Sequence, residues 1–199
     1  VYVSERDAVP HVFLYDFTTA RETQLTNGAV GDAAPRVSPD GKSVAFVRDG
    51  KDLRALDLAA KTERSLATGF LSRTDRGVAW SPDSKWVAYL GLSARSFRNV
   101  YAVPAAGGES RAVSALPNGN ANNISWSPDG TYVLYNTSQR TEEGQVVRVD
   151  LVLRTPKFRE DRFRDLFKEG EPARPGGRGG AAPDRDAEPA RDPSKPVEI

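Results

Sequence analysis

Apolar residues along this chain fall in short runs that are not amphipathic. Val44-Ala45-Phe46-Val47, Val87-Ala88-Tyr89-Leu90 and Tyr132-Val133-Leu134-Tyr135 are apolar at every position, rich in β-branched and aromatic residues, and bounded by turn residues. A sheet with one wet face forces apolar and polar positions to alternate, so continuous runs predict strands buried between neighbouring sheets. A second set of strands follows at Val12 to Phe17, Leu53 to Leu58, Val100 to Ala105 and Val146 to Leu151, with Asp16, Asp57, Pro104 and Asp150 in one column. Nine residues beyond the first three of these stand Leu25, Leu66 and Val113, each in a more polar segment that suits an outer sheet edge.

Between the runs a turn motif repeats. Ser-Pro-Asp-Gly occupies Ser38 to Gly41 and Ser127 to Gly130, and Ser-Pro-Asp-Ser occupies Ser81 to Ser84, at steps of 43 and 46 residues. Val37, Trp80 and Trp126 precede the three turns, and eight residues after each Ser come Phe46, Tyr89 and Tyr135. Pro presets φ for the second position of a type I turn, Asp suits the third, and Gly takes a left-handed fourth. Each motif therefore reads as a hairpin connector. Ser84 in place of Gly should cost up to about 1 kcal/mol if it stays left-handed, which predicts a slightly looser middle turn. Gly107-Gly108 marks another connecting turn.

A period in this range, carried by a turn motif, means a stack of repeated units rather than one compact domain. A sandwich or a β-solenoid shares parts of the pattern; a four-strand unit of this length with an aromatic after the second turn favours a β-propeller. The expected fold is therefore all-β, a partial β-propeller of four-stranded antiparallel blades over residues 1–155, about three and a half blades. Val1-Tyr2-Val3 falls on the strand that elsewhere follows the Ser-Pro-Asp turn, so the first blade lacks its opening strand, and the last strand of the fourth blade is not assigned. A six-bladed ring of such repeats takes roughly 260 residues, so the isolated chain is expected to be marginal in stability or associated. Residues 156–168 read as a short amphipathic helix with Phe163, Leu166 and Phe167 on one stripe, docking on the propeller rim. Residues 169–196, rich in Pro, Gly and charge, read as a disordered linker, and 197–199 as the start of a following domain.

Charge changes the picture little: Lys plus Arg number 28 and Asp plus Glu 27, scattered through turns and edges, so no nucleic-acid partner is expected. No apolar run is long enough for a membrane-spanning helix. The absence of cysteine removes disulfides and thiolate chemistry. His11 is the only histidine, which rules out a histidine triad or a multi-histidine metal site within this segment. Gly91-Leu92-Ser93-Ala94-Arg95 fails the last position of a nucleophile elbow, and Gly41-Lys42-Ser43 lacks the earlier glycine of a phosphate loop, which is Arg36. Asp40, Asp83 and Asp129 are accounted for as turn formers. Asn118 to Asn123 forms a polar loop able to reach a ligand, and Asn123-Ile124-Ser125 and Asn136-Thr137-Ser138 match glycosylation sequons. No residue is assigned a catalytic, cofactor-binding or metal role, and no cofactor is expected.

Trp80-Ser81-Pro82-Asp83 and Trp126-Ser127-Pro128-Asp129-Gly130, with the valine and aromatic after each, resemble the WD40-like Pro-Asp repeats of TolB-like propellers. That resemblance spans Val1 to about Leu153. Such blades occur in TolB-like envelope proteins, prolyl-oligopeptidase-type peptidases and tricorn-type serine proteases. The exit segment Arg154-Thr155-Pro156-Lys157-Phe158-Arg159-Glu160-Asp161 is similar to the end of the first propeller in bacterial tricorn-type proteins. The resemblance implies a noncatalytic scaffold and peptide gate in a serine peptidase, with a peptide or protein substrate, or a protein partner, and the neighbouring domains of the same chain as its contacts. None of that family's catalytic residues lies in this segment. It leans toward a periplasmic or extracytoplasmic setting and leaves the cytoplasm open.

Overall fold

The computed structural model describes residues 1–6, 8–69, 71, 77–93, 95–117, 119–138 and 143–152. The expected helix at 156–168, linker at 169–196 and strand at 197–199 lie outside the described residues. Within them the chain is all-β, in four antiparallel sheets that follow one another along the sequence.

Blade 1 holds β1 (Tyr2–Arg6), β2 (Val9–Asp16) and β3 (Arg21–Gln24). Blade 2 holds β4 (Asp32–Val37), β5 (Ser43–Arg48), β6 (Asp52–Asp57) and β7 (Glu63–Thr68). Blade 3 holds β8 (Val78–Trp80), β9 (Trp86–Leu92), β10 (Arg98–Pro104) and β11 (Arg111–Ala112). Blade 4 holds β12 (Asn122–Trp126), β13 (Tyr132–Thr137) and β14 (Gln145–Asp150). Each sheet is a meander in chain order, and β4, β8 and β12, the opening strands of their blades, lie along one another. Blade 1 begins on the strand that corresponds to β5, as its sequence register predicts.

The continuous apolar runs are explained by burial on both faces. In β5, Val44 and Phe46 pack with Val12 of blade 1 while Ala45 and Val47 pack with Val78, Val87 and Tyr89 of blade 3. In β9, Val87 and Tyr89 face blade 2 while Ala88 and Leu90 join Val133 and Tyr135 of blade 4. Successive side chains of a strand point to opposite faces, so one strand serves two joints. Filling both costs no polar group its water, and each fully buried Val, Leu or Phe contributes about 1.5–3 kcal/mol. The outer strands are polar because one side stays wet: β3 is exposed throughout and β11 likewise.

The turns carry out what the motif requires. Gly41, Ser84 and Gly130 have φ of 71°, 59° and 68°, and each donates its N–H to the carbonyl of the motif's Ser at 2.9 Å. The Ser hydroxyl accepts the N–H of the residue five positions on, at 2.9 Å from Ser43 to Ser38, 2.9 Å from Trp86 to Ser81 and 3.0 Å from Tyr132 to Ser127. The expectation of a looser middle turn is not met. Ser84 closes its turn at the same length as the two glycines, and its hydroxyl accepts the backbone N–H of Asp40, 3.1 Å away in blade 2. A bond from the preceding blade offsets the left-handed strain of a side chain there.

Candidate functional site

The opening strands and the turns that follow them border an open cavity of about 550 Å³, lined among others by Arg36, Pro39, Trp80, Asn123, Ser125 and Trp126. Its shape comes from two backbone irregularities in one column. The pairing of β4 with β5 shifts between Ala33 and Arg36, and that of β12 with β13 between Asn122 and Ser125. Ala34 and Asn123 sit at these shifts with φ of 53° and 52°. Such bulges re-aim the residues that follow, here Arg36 and Ser125, on strands that open their blades.

The tryptophans are fixed by the joint rather than by the cavity. Trp80 Nε1 donates to the carbonyl of Arg36 at 2.9 Å, and Trp126 Nε1 donates to the carbonyl of Ala79 at 3.1 Å. Each indole thus satisfies a carbonyl on the opening strand of the preceding blade and presents its ring to the cavity wall. The tryptophan column is visible in the sequence; its role is not, because the acceptor lies one whole repeat earlier.

The motif aspartates serve their own turns. Asp40 accepts the hydroxyl of Ser38 at 2.5 Å and the N–H of Lys42 at 3.1 Å, and these bonds, the hydroxyl foremost, hold its carboxyl below the usual range. Asp83 accepts Ser81 Oγ at 2.6 Å and the N–H of Lys85 at 3.1 Å. At Asp129 the hydroxyl of Ser127, then the N–H of Thr131, bring the carboxyl down to about 2. The lone His11 lies on β2, buried, with Nδ1 3.5 Å from Asp32 Oδ2. Asn123 of the polar loop does reach the cavity, whereas Asn122 is engaged with Arg98 at 3.2 Å.

A charge network was not foreseen. Arg48 holds the wholly buried Asp32 through Nε at 2.8 Å and Glu63 through Nη1 at 2.8 Å; Arg54 bridges Glu63 at 3.0 Å and Asp52 at 2.6 Å. The hydrogen bond to Asp32, above all, pushes the Arg48 guanidinium further up. These charges come from four strands and look like solvated strand ends in sequence. They clamp the corner of blade 2 and leave the cavity free of carboxylates.

The cavity lining therefore offers indole and proline surface, one guanidinium, one amide and two hydroxyls. Of the hydroxyls, Ser127 is already engaged, accepting the N–H of Tyr132 and bonding the Asp129 carboxyl, which is held down at about 2, and no imidazole is among the described lining residues. What remains is a wall of ring and proline surface with a few polar groups along it.

Comparisons with known proteins agree with this architecture. The family described as the TolB beta propeller domain matches residues 1–162. A dipeptidyl-peptidase 5 of Porphyromonas gingivalis is 35% identical over 88 residues, covering 40% of this chain and 13% of that protein. TolB of Acinetobacter baumannii superposes with a TM-score of 0.60 at 21% identity, over 75% of this chain and 37% of that one. A tricorn protease superposes with a TM-score of 0.61 at 13% identity, over 78% of this chain and 17% of that one. The chain thus spans a minor part of each, and the two superpositions speak for the fold alone.

Proposed function

The chain belongs to the TolB β-propeller domain family, and from that premise we propose that it is the noncatalytic propeller segment of a tricorn-type serine protease, a scaffold and gate for peptide substrates. The observation that carries this reading is the cavity of about 550 Å³ along β4, β8 and β12, walled by Trp80, Trp126 and prolines and tipped by Arg36, Asn123 and Ser125. Rings and proline faces hold apolar side chains of an extended peptide, and the three polar tips have the donors and acceptors its backbone requires. The 35% identity with a dipeptidyl peptidase over 88 residues supports a peptidase setting. A second reading, a propeller that docks a folded protein partner, is compatible with membership of the TolB beta propeller domain family.

Unstructured peptides titrated into the chain should quench the fluorescence of Trp80 and Trp126, and no cleavage product should appear by mass spectrometry. Ser125→Tyr, which fills the cavity from a half-exposed strand, should weaken binding by about tenfold while leaving the thermal midpoint in place. Tight binding of a folded partner with indifference to peptides would favour the docking reading instead.

A further inference from the structure

The lone histidine of the chain faces the one wholly buried carboxylate among the described residues, and both are short of partners. Asp32 opens β4 and is 0% exposed. Arg48 meets its Oδ1 through Nε at 2.8 Å but its Oδ2 only through Nη2 at 3.3 Å, a long bond for a charged pair. His11 of β2, also buried, holds Nδ1 3.5 Å from that same Oδ2, and Nδ1 has no hydrogen-bond partner among the described residues. Buried polar atoms are ordinarily paired, so an unpartnered ring nitrogen against a half-served carboxylate oxygen marks a place where a proton belongs.

The charge of the network points the same way. It joins the carboxylates of Asp32, Glu63 and Asp52 to the guanidinium groups of Arg48 and Arg54, which leaves it one positive charge short. Ser65 serves Asp52 through a neutral hydroxyl and does not change that balance. On the other elements beside His11 the neighbours are already engaged or uncharged. Strand β1 sets Ser4 opposite His11 and Glu5 opposite Pro10, and Arg6 at its end pairs with Glu22 of β3 at 2.6 Å. Thr26, just past β3, accepts the N–H of Val12 at 2.9 Å.

We propose that His11 is a proton-operated latch between blades 1 and 2: with a proton on Nδ1 it donates to Asp32 Oδ2 and supplies the missing positive charge, and without one it sets a lone pair against the carboxylate. The latch fastens the start of β4, the strand that carries Arg36 to the cavity, and it acts whatever that cavity binds. A joint that gains a bond on protonation is tightest at the acid end and loosens as pH rises through the titration of the imidazole, because folding then binds a proton. Imidazole is the side chain whose ordinary titration falls between about pH 5 and 8. The rest of the chain is quiet there: it has no cysteine, Asp16, Glu22, Asp40, Asp57 and Asp129 are held below the usual carboxylate range, and Tyr2 and Tyr89 are pushed up.

Thermal unfolding of the full chain and of His11→Gln, across a window from about pH 5.5 to about 7.5, tests this. Glutamine keeps an N–H donor and cannot titrate. The midpoint of the unaltered chain is expected to fall by several degrees as pH rises, while that of His11→Gln stays level; the difference between the two also removes any contribution of the terminal amine. In isotope-labelled chain the imidazole Nδ1 proton should appear as a slowly exchanging resonance at the acid end of the window and vanish at the other. A midpoint that is level or rises with pH overturns the proposal, as does a fall that His11→Gln shares. An Nδ1 proton retained at the upper end overturns it too, because the neutral imidazole would then already make the bond. Should His11→Gln fail to fold, the resonance of the unaltered chain decides.

Discussion

The corner of blade 2 that faces blade 1 is held by charge, while the matching corner of blade 3, which faces blade 2, is held by two tyrosine rings. The paired residues Phe46 and Arg54 of β5 and β6 correspond to Tyr89 and Tyr101 of β9 and β10, and the pair Arg48 and Asp52 to Gly91 and Asn99. In blade 2, Arg48 spans Asp32 and Glu63 and lies 5.2 Å over the Phe46 ring. In blade 3, Gly91 leaves room for Tyr89 and Tyr101 to stack at 5.7 Å, and Tyr89 Oη bonds Ser110 Oγ at 2.9 Å. The run of small and branched residues deeper in the joint is alike in both. The repeat therefore prescribes apolar filling along the strand and leaves the corner open to any chemistry that satisfies its own polar groups.

The sharpest way to break the comparison is Arg48→Leu. It strands Asp32, wholly buried, with the His11 imidazole as its remaining neighbour, and removal of one partner of a buried pair costs about 3–5 kcal/mol. Urea unfolding should show that loss in the midpoint. In blade 3 the damaging change is an addition: a Cβ on Gly91 would lie 3.2 Å from ring atoms of both Tyr89 and Tyr101. Gly91→Val is expected to cost about 1–3 kcal/mol by overpacking, read in the same titration.

Tyr89→Phe keeps the stack and removes the bond to Ser110, for a loss of about 1 kcal/mol. If it cost as much as Arg48→Leu, the corner of blade 3 would depend on its polar contact, and the contrast between the blades would fail. The turns give a gentler effect that depends on pH. Asp129 titrates at about 2 in the folded chain, and Asp40 is also lowered, both below the ordinary 3.8. The stabilisation is complete above 3.8 and is lost as pH falls through the folded values, because the unfolded state binds the protons first. Asp129→Asn should flatten the fall in thermal midpoint between pH 4 and about 2. The smallest change is Ser84→Gly, which relieves a left-handed serine and gives up the bond to Asp40, two effects of about 1 kcal/mol that nearly cancel.

The blades were legible in the sequence because burial on two faces writes continuous apolar runs, and because the Ser-Pro-Asp turn fixes their spacing. Phe46, Tyr89 and Tyr135 lie in the continuous apolar runs expected to be buried between sheets, and all three are buried. Contacts between repeats were not legible. Trp80 and Trp126 stand in a visible column, yet their acceptors belong to the preceding blade, and Ser84 reads as a flawed turn until Asp40 of the neighbouring turn is set beside it. The Asp32, Arg48, Arg54 and Glu63 network was hidden for the same reason: its members lie on four strands, at positions where charge ordinarily meets water. Of the cavity lining, Asn123 was anticipated through its polar loop. Arg36 and Ser125 were not, since a bulge and not a motif turns them inward.

The proposed function requires that the opening strands bind peptide without cutting it. A single titration on Trp86→Phe, which leaves the cavity tryptophans Trp80 and Trp126 as the fluorophores, tests this when the same cuvette is sampled for products by mass spectrometry. Saturable quenching by an extended peptide, sensitive to Ser125→Tyr and with the peptide recovered intact, is the expected result. Turnover by the pure chain, or saturable binding that leaves both indoles unaffected, would contradict it.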